Sequence, residues 1–146
     1  MTDRLTPQQR SRVMSRVRSR DTTPERSVRS TLHRLGFRFR LHAVDLPGRP
    51  DIVLRKHRTA IFVHGCFWHS HDCRAGRPPA TRVEFWTAKL AATRSRDERA
   101  TSLLHASGWQ VIVVWECQTR NASALFGALA KLTYNNRTKD IYGRDN

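Results

Sequence analysis

Residues 64–73 read HGCFWHSHDC, which places three histidines, two cysteines and two large aromatics in one short stretch. Cys66, His71 and Cys73 lie close together, and Cys117 follows a long apolar run downstream. Three thiols and one imidazole make a closed tetrahedral zinc set, with no open position for a substrate. Such a metal would hold its loop together and would not react. The competing reading is three buried structural cysteines with unrelated histidines. The zinc deaminase signature, H-x-E followed by P-C-x-x-C, is absent.

Further candidates for chemistry surround this stretch. His64 and His69 are spare once His71 is assigned to the metal, and imidazoles beside a metal are well placed to move protons near neutral pH. Each could equally be an ordinary core or surface histidine. Asp51 opens an apolar strand after GRP, a natural seat for Mg²⁺, which takes oxygen ligands and keeps waters. It could also be a turn residue following Pro50. Asp97 could orient an imidazole, but pairing with Arg94 or Arg96 on a wet helix face is the reading its neighbours favour. Phe67, Trp68 and Trp86 could enter a base stack or cover the metal. Trp109 and Trp115 are expected in the core.

The bulk composition supplies a partner. Lys and Arg number 27 against 12 Asp and Glu, a net charge of +15. A basic surface of this kind suits nucleic acid, because each neutralised phosphate releases counterions. An odd count of three cysteines argues against a disulfide framework. No apolar run reaches membrane-spanning length and the N-terminus lacks a signal-peptide core, so a cytoplasmic protein is expected.

The elements that must carry these residues follow from periodicity and punctuation. Residues 1–22 are expected to be a basic DNA-binding arm, with a helical turn near 11–17. A nuclease-sized domain is expected over 23–134 and a polar tail over 135–146. Thr23 should cap a helix with Pro24 at its first position, Val28, Leu32 and Leu35 as its apolar stripe, and Gly36 at its end. Strands are predicted at 37–41, 51–55 and 59–64. A capping box of Thr81 and Glu84 should start a helix that Gly108 closes. The run WQVIVVW at 109–115 should be a buried central strand, parallel to its partner. A last helix is predicted over 122–132. The order, α-β-β-β-α-β-α, is an α/β domain with a small mixed sheet flanked by helices.

Four blocks, LPGRPD, HGCFWH, PATRVEFW and VVWEC, resemble the very short patch repair (Vsr) endonuclease family in order and spacing, over about residues 10–120. The resemblance implies a restriction-endonuclease-like fold and nicking of duplex DNA at T·G mismatches left by 5-methylcytosine deamination. It implies Asp51 as the Mg²⁺ carboxylate, the backbone carbonyl of Val63 as a second Mg²⁺ contact, and Glu25 holding metal-bound water. His69 would activate the attacking water with Asp97 orienting its ring, and His64 would stabilise charge on the phosphate. Zn²⁺ would sit on Cys66, His71, Cys73 and Cys117. Phe67, Trp68 and Trp86 would enter the stack and Met14 would probe from the minor groove, with Arg49 and Lys89 as further DNA contacts. Two positions depart from the nuclease pattern. Phe62 stands where a second metal carboxylate is usual, and Val63 stands where threonine is expected. The expected partners are double-stranded DNA with a T·G mismatch and proteins of mismatch repair. The chain is expected to act as a monomer, on the nucleoid when bound to DNA. Its rivals are a family-like nuclease for another duplex substrate and a non-enzymatic zinc-stabilised DNA binder.

Overall fold

The computed structural model describes residues 5–15 and 20–142, with side chains described up to Leu132. Helix α1 (Pro7–Ser15) buries none of its residues. It is followed by α2 (Thr23–Arg34), β1 (Arg40–Leu41), β2 (Ile52–Leu54), β3 (Thr59–His64), α3 (Val83–Ala106), β4 (Gln110–Trp115) and α4 (Ala122–Tyr142). One mixed sheet runs in the order β1-β2-β3-β4. The first two pairings are antiparallel and β3–β4 is parallel.

Strand alternation divides the core between two faces. Ile61, Ile112 and Val114 pack with Val28 and Leu32 of α2 and with Leu125, Leu129 and Leu132 of α4. Ala60 and Phe62 face the other way and meet Leu104 of α3, beside Val111 and Val113. His64 has the parity of Ala60 and Phe62, so β3 delivers its last side chain to the α3 side.

Several local expectations are corrected. Thr22, not Thr23, caps α2, and its hydroxyl accepts from the Glu25 N–H at 3.4 Å. Leu35 is exposed, because the helix ends before that position can turn inward. Only Arg40–Leu41 of the 37–41 segment pairs as a strand, although Phe37 and Phe39 still join the core. The Thr81–Glu84 box does not form. Arg82 is the cap, in the left-handed conformation with no side-chain bond. Strand β4 pairs on one side only and is the sheet edge. Its apolarity comes from helices on both faces, which periodicity cannot distinguish from central pairing. Helix α4 continues past Leu132 to Tyr142, through most of the expected tail, while residues 143–146 and 16–19 lie outside the described residues.

Candidate active site and thiol cluster

The end of β3 and the loop after it distribute residues 64–73 between two places. His64, Gly65, Trp68 and His69 line a cleft of about 810 Å³, together with Glu25, Arg49, Asp51, Val63 and Asp97. Ser70, His71, Asp72 and Cys73 line a second, smaller hollow.

Asp51 stands just before β2, and its Oδ2 accepts the Val63 N–H from the neighbouring strand at 2.7 Å. Burial pushes this carboxyl up to about 6, against the lowering effect of the Val63 bond, and the nearby Glu25 charge pushes the same way as burial. A half-buried carboxylate beside a second acid is a site that a cation would relieve. Val63 packs against the α2–α4 core and also lines the cleft, where its backbone N–H meets Asp51. Phe62 lines the same cleft and offers no oxygen. Gly48 fixes the turn that carries Arg49. Its φ is +74°, and a Cβ there would lie 2.6 Å from the Ala100 Cβ on α3.

His69 and Asp97 do meet. Nδ1 and Oδ2 are 2.5 Å apart, which overturns the expectation that Asp97 pairs with arginines in solvent. A carboxylate can only accept, so Nδ1 carries the proton and a neutral His69 keeps Nε2 free as a base. His64 stacks on this ring, with centroids 3.7 Å apart and planes 4° from parallel. Burial is the main cause that lowers His64 to about 4; His69 adds to it and Asp97 opposes it.

The second grouping is Cys66, His71, Cys73 and Cys117, whose ligand atoms all lie within 4.8 Å of one another. The Cys117 Sγ is 3.5 Å from His71 Nδ1, and the Cys117 N–H donates to Cys66 Sγ at 3.4 Å. The His71 ring lies on Trp115 at 4.2 Å. Gly76 permits this packing, since a Cβ would come 1.8 Å from the His71 carbonyl oxygen. Burial pushes the Cys66 thiol up to about 12, while the His71 bond draws Cys73 down to about 7. Three sulfurs and one imidazole nitrogen in this compass fit Zn²⁺, which would hold the thiols as thiolates.

Phe67, Trp68 and Trp86 form one aromatic cluster, with centroids 5.1–6.0 Å apart. All three are partly exposed. Lys89 lies over the Trp68 ring at 5.5 Å. Sequence reasoning missed Phe85, an exposed ring on Trp86 at 5.1 Å. It also missed Glu116 and Arg96, which line the cleft. Glu116 was visible within VVWEC, next to Cys117. Met14 is exposed on α1, which contributes no lining residue to the cleft.

The sequence model described as DNA mismatch endonuclease Vsr matches residues 2–75. The chain is 51% identical over 132 residues to the type II nicking enzyme V.XorIIP of Xanthomonas oryzae pv. oryzae, covering 90% of this chain and 97% of that protein. The chain belongs to the Vsr DNA mismatch endonuclease family. It is also 45% identical over 116 residues to the DNA mismatch endonuclease Vsr of Escherichia coli (strain K12), covering 80% of this chain and 74% of that one. A third family relative, the type II nicking enzyme V.NmeAIP of Neisseria meningitidis, is 43% identical over 121 residues. Among the described residues no helix is long and apolar enough to cross a membrane.

Proposed function

We propose that the protein is a Mg²⁺-dependent endonuclease that nicks duplex DNA at T·G mismatches arising from 5-methylcytosine deamination, so initiating very short patch repair. One observation carries the reading: a His69–Asp97 pair stacked on His64 lines the same cleft as Asp51. A zinc-stabilised binder needs no such set. The names of the relatives support nicking of DNA at mismatches.

In this reading Asp51 and the Val63 carbonyl hold the Mg²⁺, with Glu25 on its water. The ion would act as a Lewis acid and make bound water easier to deprotonate. His69 Nε2 accepts the proton of the attacking water, and Asp97 fixes the tautomer and the ring direction. Burial holds His64 neutral in the free protein, stacked on His69. An incoming phosphate raises its proton affinity and lets it answer the developing charge. Phe67, Trp68 and Trp86 wedge into the stack, with Met14 opposite. A wobble pair unstacks more easily than a matched one, which gives the wedge its preference. Arg49 and Lys89 contact the DNA, in a restriction-endonuclease-like fold stabilised by Zn²⁺ on the thiol cluster.

The test compares nicking of matched and T·G duplexes, with and without Mg²⁺, by the native protein and Asp51→Asn. The native protein should nick the mismatched strand only with Mg²⁺. Asp51→Asn should bind as well and nick more than about 100-fold slower, beyond what loss of an outer partner costs. Comparable nicking by the variant would move the site elsewhere.

A further inference from the structure

Beyond the histidine pair and the thiols, a dense set of charged side chains gathers at the first turns of α2: Asp21, Glu25, Arg29 and His42. A single Arg29 nitrogen, Nη2, faces Asp21 Oδ1 at 2.8 Å, Glu25 Oε2 at 3.1 Å and His42 Nε2 at 3.3 Å. That nitrogen carries only two hydrogens and cannot bond fully to all three, and His42 Nε2 also lies 3.5 Å from Asp21 Oδ1. The Arg29 Nε is buried with no hydrogen-bond partner among the described residues. Glu25 is only 3% exposed, yet it lines the cleft beside Asp51. Both bonds to its carboxylate, from Arg29 and from the Asp21 N–H at 2.9 Å, fall on Oε2.

His42 extends the connection. Its backbone N–H donates to the Asp51 carbonyl at 3.0 Å, continuing the β1–β2 ladder past Leu41 and Ile52. A continuous path therefore runs from the Glu25 carboxylate through Arg29 and the His42 ring to the backbone of Asp51. Stability alone does not account for a guanidinium that leaves Nε buried and unsatisfied, which is unfavourable in itself. The arrangement does answer a specific difficulty, because two acids in one desolvated cleft repel each other and would drift apart.

Building on the nuclease reading of this cleft, we propose that Arg29 and His42 are positioning residues that hold Glu25 at a set separation from Asp51, so that both carboxylates serve one hydrated divalent cation. Arg29 occupies Oε2 and leaves Oε1 for the cation's water. His42 braces Arg29 against the strand that carries Asp51.

The test uses the full chain with Arg29→Ala, His42→Ala and His42→Gln, the last of which keeps a polar group able to accept from Arg29 or donate to Asp21. Mn²⁺ affinity is read from the electron paramagnetic resonance of the free ion, and the Mg²⁺ requirement from the concentration giving half-maximal nicking. Both Ala variants should weaken Mn²⁺ binding and raise the Mg²⁺ requirement by about tenfold or more, in the range for partners of metal ligands. Their nicking at saturating Mg²⁺ should approach the native rate, and duplex affinity without divalent ions should be unchanged. His42→Gln should stay near native on every measure. Unchanged Mn²⁺ affinity in both Ala variants would overturn the proposal. So would a uniform fall in rate at all Mg²⁺ concentrations with a lowered melting temperature, the mark of a purely structural cluster. Asp51→Asn separates the two readings. If it too keeps native Mn²⁺ affinity, the nuclease reading itself has failed; if it alone loses affinity, only the role of Arg29 and His42 falls.

Discussion

The loop after β3 builds two sites of opposite character within ten residues. Cys66, His71 and Cys73 turn towards Cys117 and close on themselves, with Gly76 pressed against the His71 carbonyl. His64 and His69 turn the other way, into an open cleft of about 810 Å³ with acids on its walls. The first set is built from soft ligands, and four of them on one zinc would leave no position for a substrate. The open set is built from carboxylates and imidazoles and leaves room for DNA and water. The first fixes the loop that positions the second. A metal on the thiol cluster would stiffen the loop and so help His64 and His69 keep one geometry.

That contrast can be broken at either end, and the closed site should break hardest. Cys117→Ala removes one of the four cluster side chains proposed to hold zinc, and zinc binding supplies about 10–16 kcal/mol of folding energy in small zinc domains. The variant should lose its zinc and much of its thermal stability, while the native chain should hold about one zinc by elemental analysis. Folded, active native protein without zinc would sink the closed-site reading.

The open site should lose activity and keep its fold. His69→Ala should slow single-turnover nicking by about 10²–10⁴-fold, the usual worth of a general base. Asp97→Asn should also slow it, and the double variant should be little slower than His69→Ala, because members of one unit are strongly non-additive. Fully additive losses would dissolve the pair.

A pH experiment sharpens the comparison without DNA. Asp51 is raised to about 6 and His64 is lowered to about 4, both chiefly by burial. For Asp51 the folded state holds the proton more tightly than the unfolded chain does. Its penalty therefore grows as pH rises from about 4 through 6. For His64 the unfolded chain binds the proton better, and that penalty grows as pH falls from about 6.5 towards 4. Without added Mg²⁺, Asp51→Asn should be more stable than the native protein near about pH 7.5, by on the order of 2 kcal/mol, with the gain gone near about pH 4. Equal melting temperatures at both pH values would mean that water reaches Asp51 freely.

The smallest effect is expected at the aromatics. Phe67→Ala or Trp68→Ala should reduce the preference for T·G over matched duplex by roughly 1–3 kcal/mol of lost stacking, with general affinity little changed. Equal losses on both duplexes would return these rings to a structural role.

Much of this layout was legible locally. β3 and the α3 terminus at Gly108 fall where apolar runs and glycine place them, and the four thiol-cluster residues were identifiable by type. Elsewhere local rules chose wrongly for identifiable reasons. An apolar strand with helices on both faces looks central even at a sheet edge, as β4 does. Thr81 and Glu84 have the spacing of a capping box, but the chain enters α3 through a left-handed Arg82 and the box never closes.

What the sequence by itself determined is the chemical inventory: the ligand types, the spare histidines, the aromatic loop, the basic charge, and a strand parity that sends His64 towards α3. Tertiary structure alone decided which members of that inventory meet. His69 and Asp97 are 28 positions apart, Cys66 and Cys117 are 51 apart, and Arg29 and His42 are 13 apart. Periodicity reports how a residue sits relative to its own helix or strand. An aspartate on a helix face therefore looks solvated until another segment is laid against it. For Asp97 that segment is the loop carrying His69, and packing of α3 on the sheet is what brings the two together.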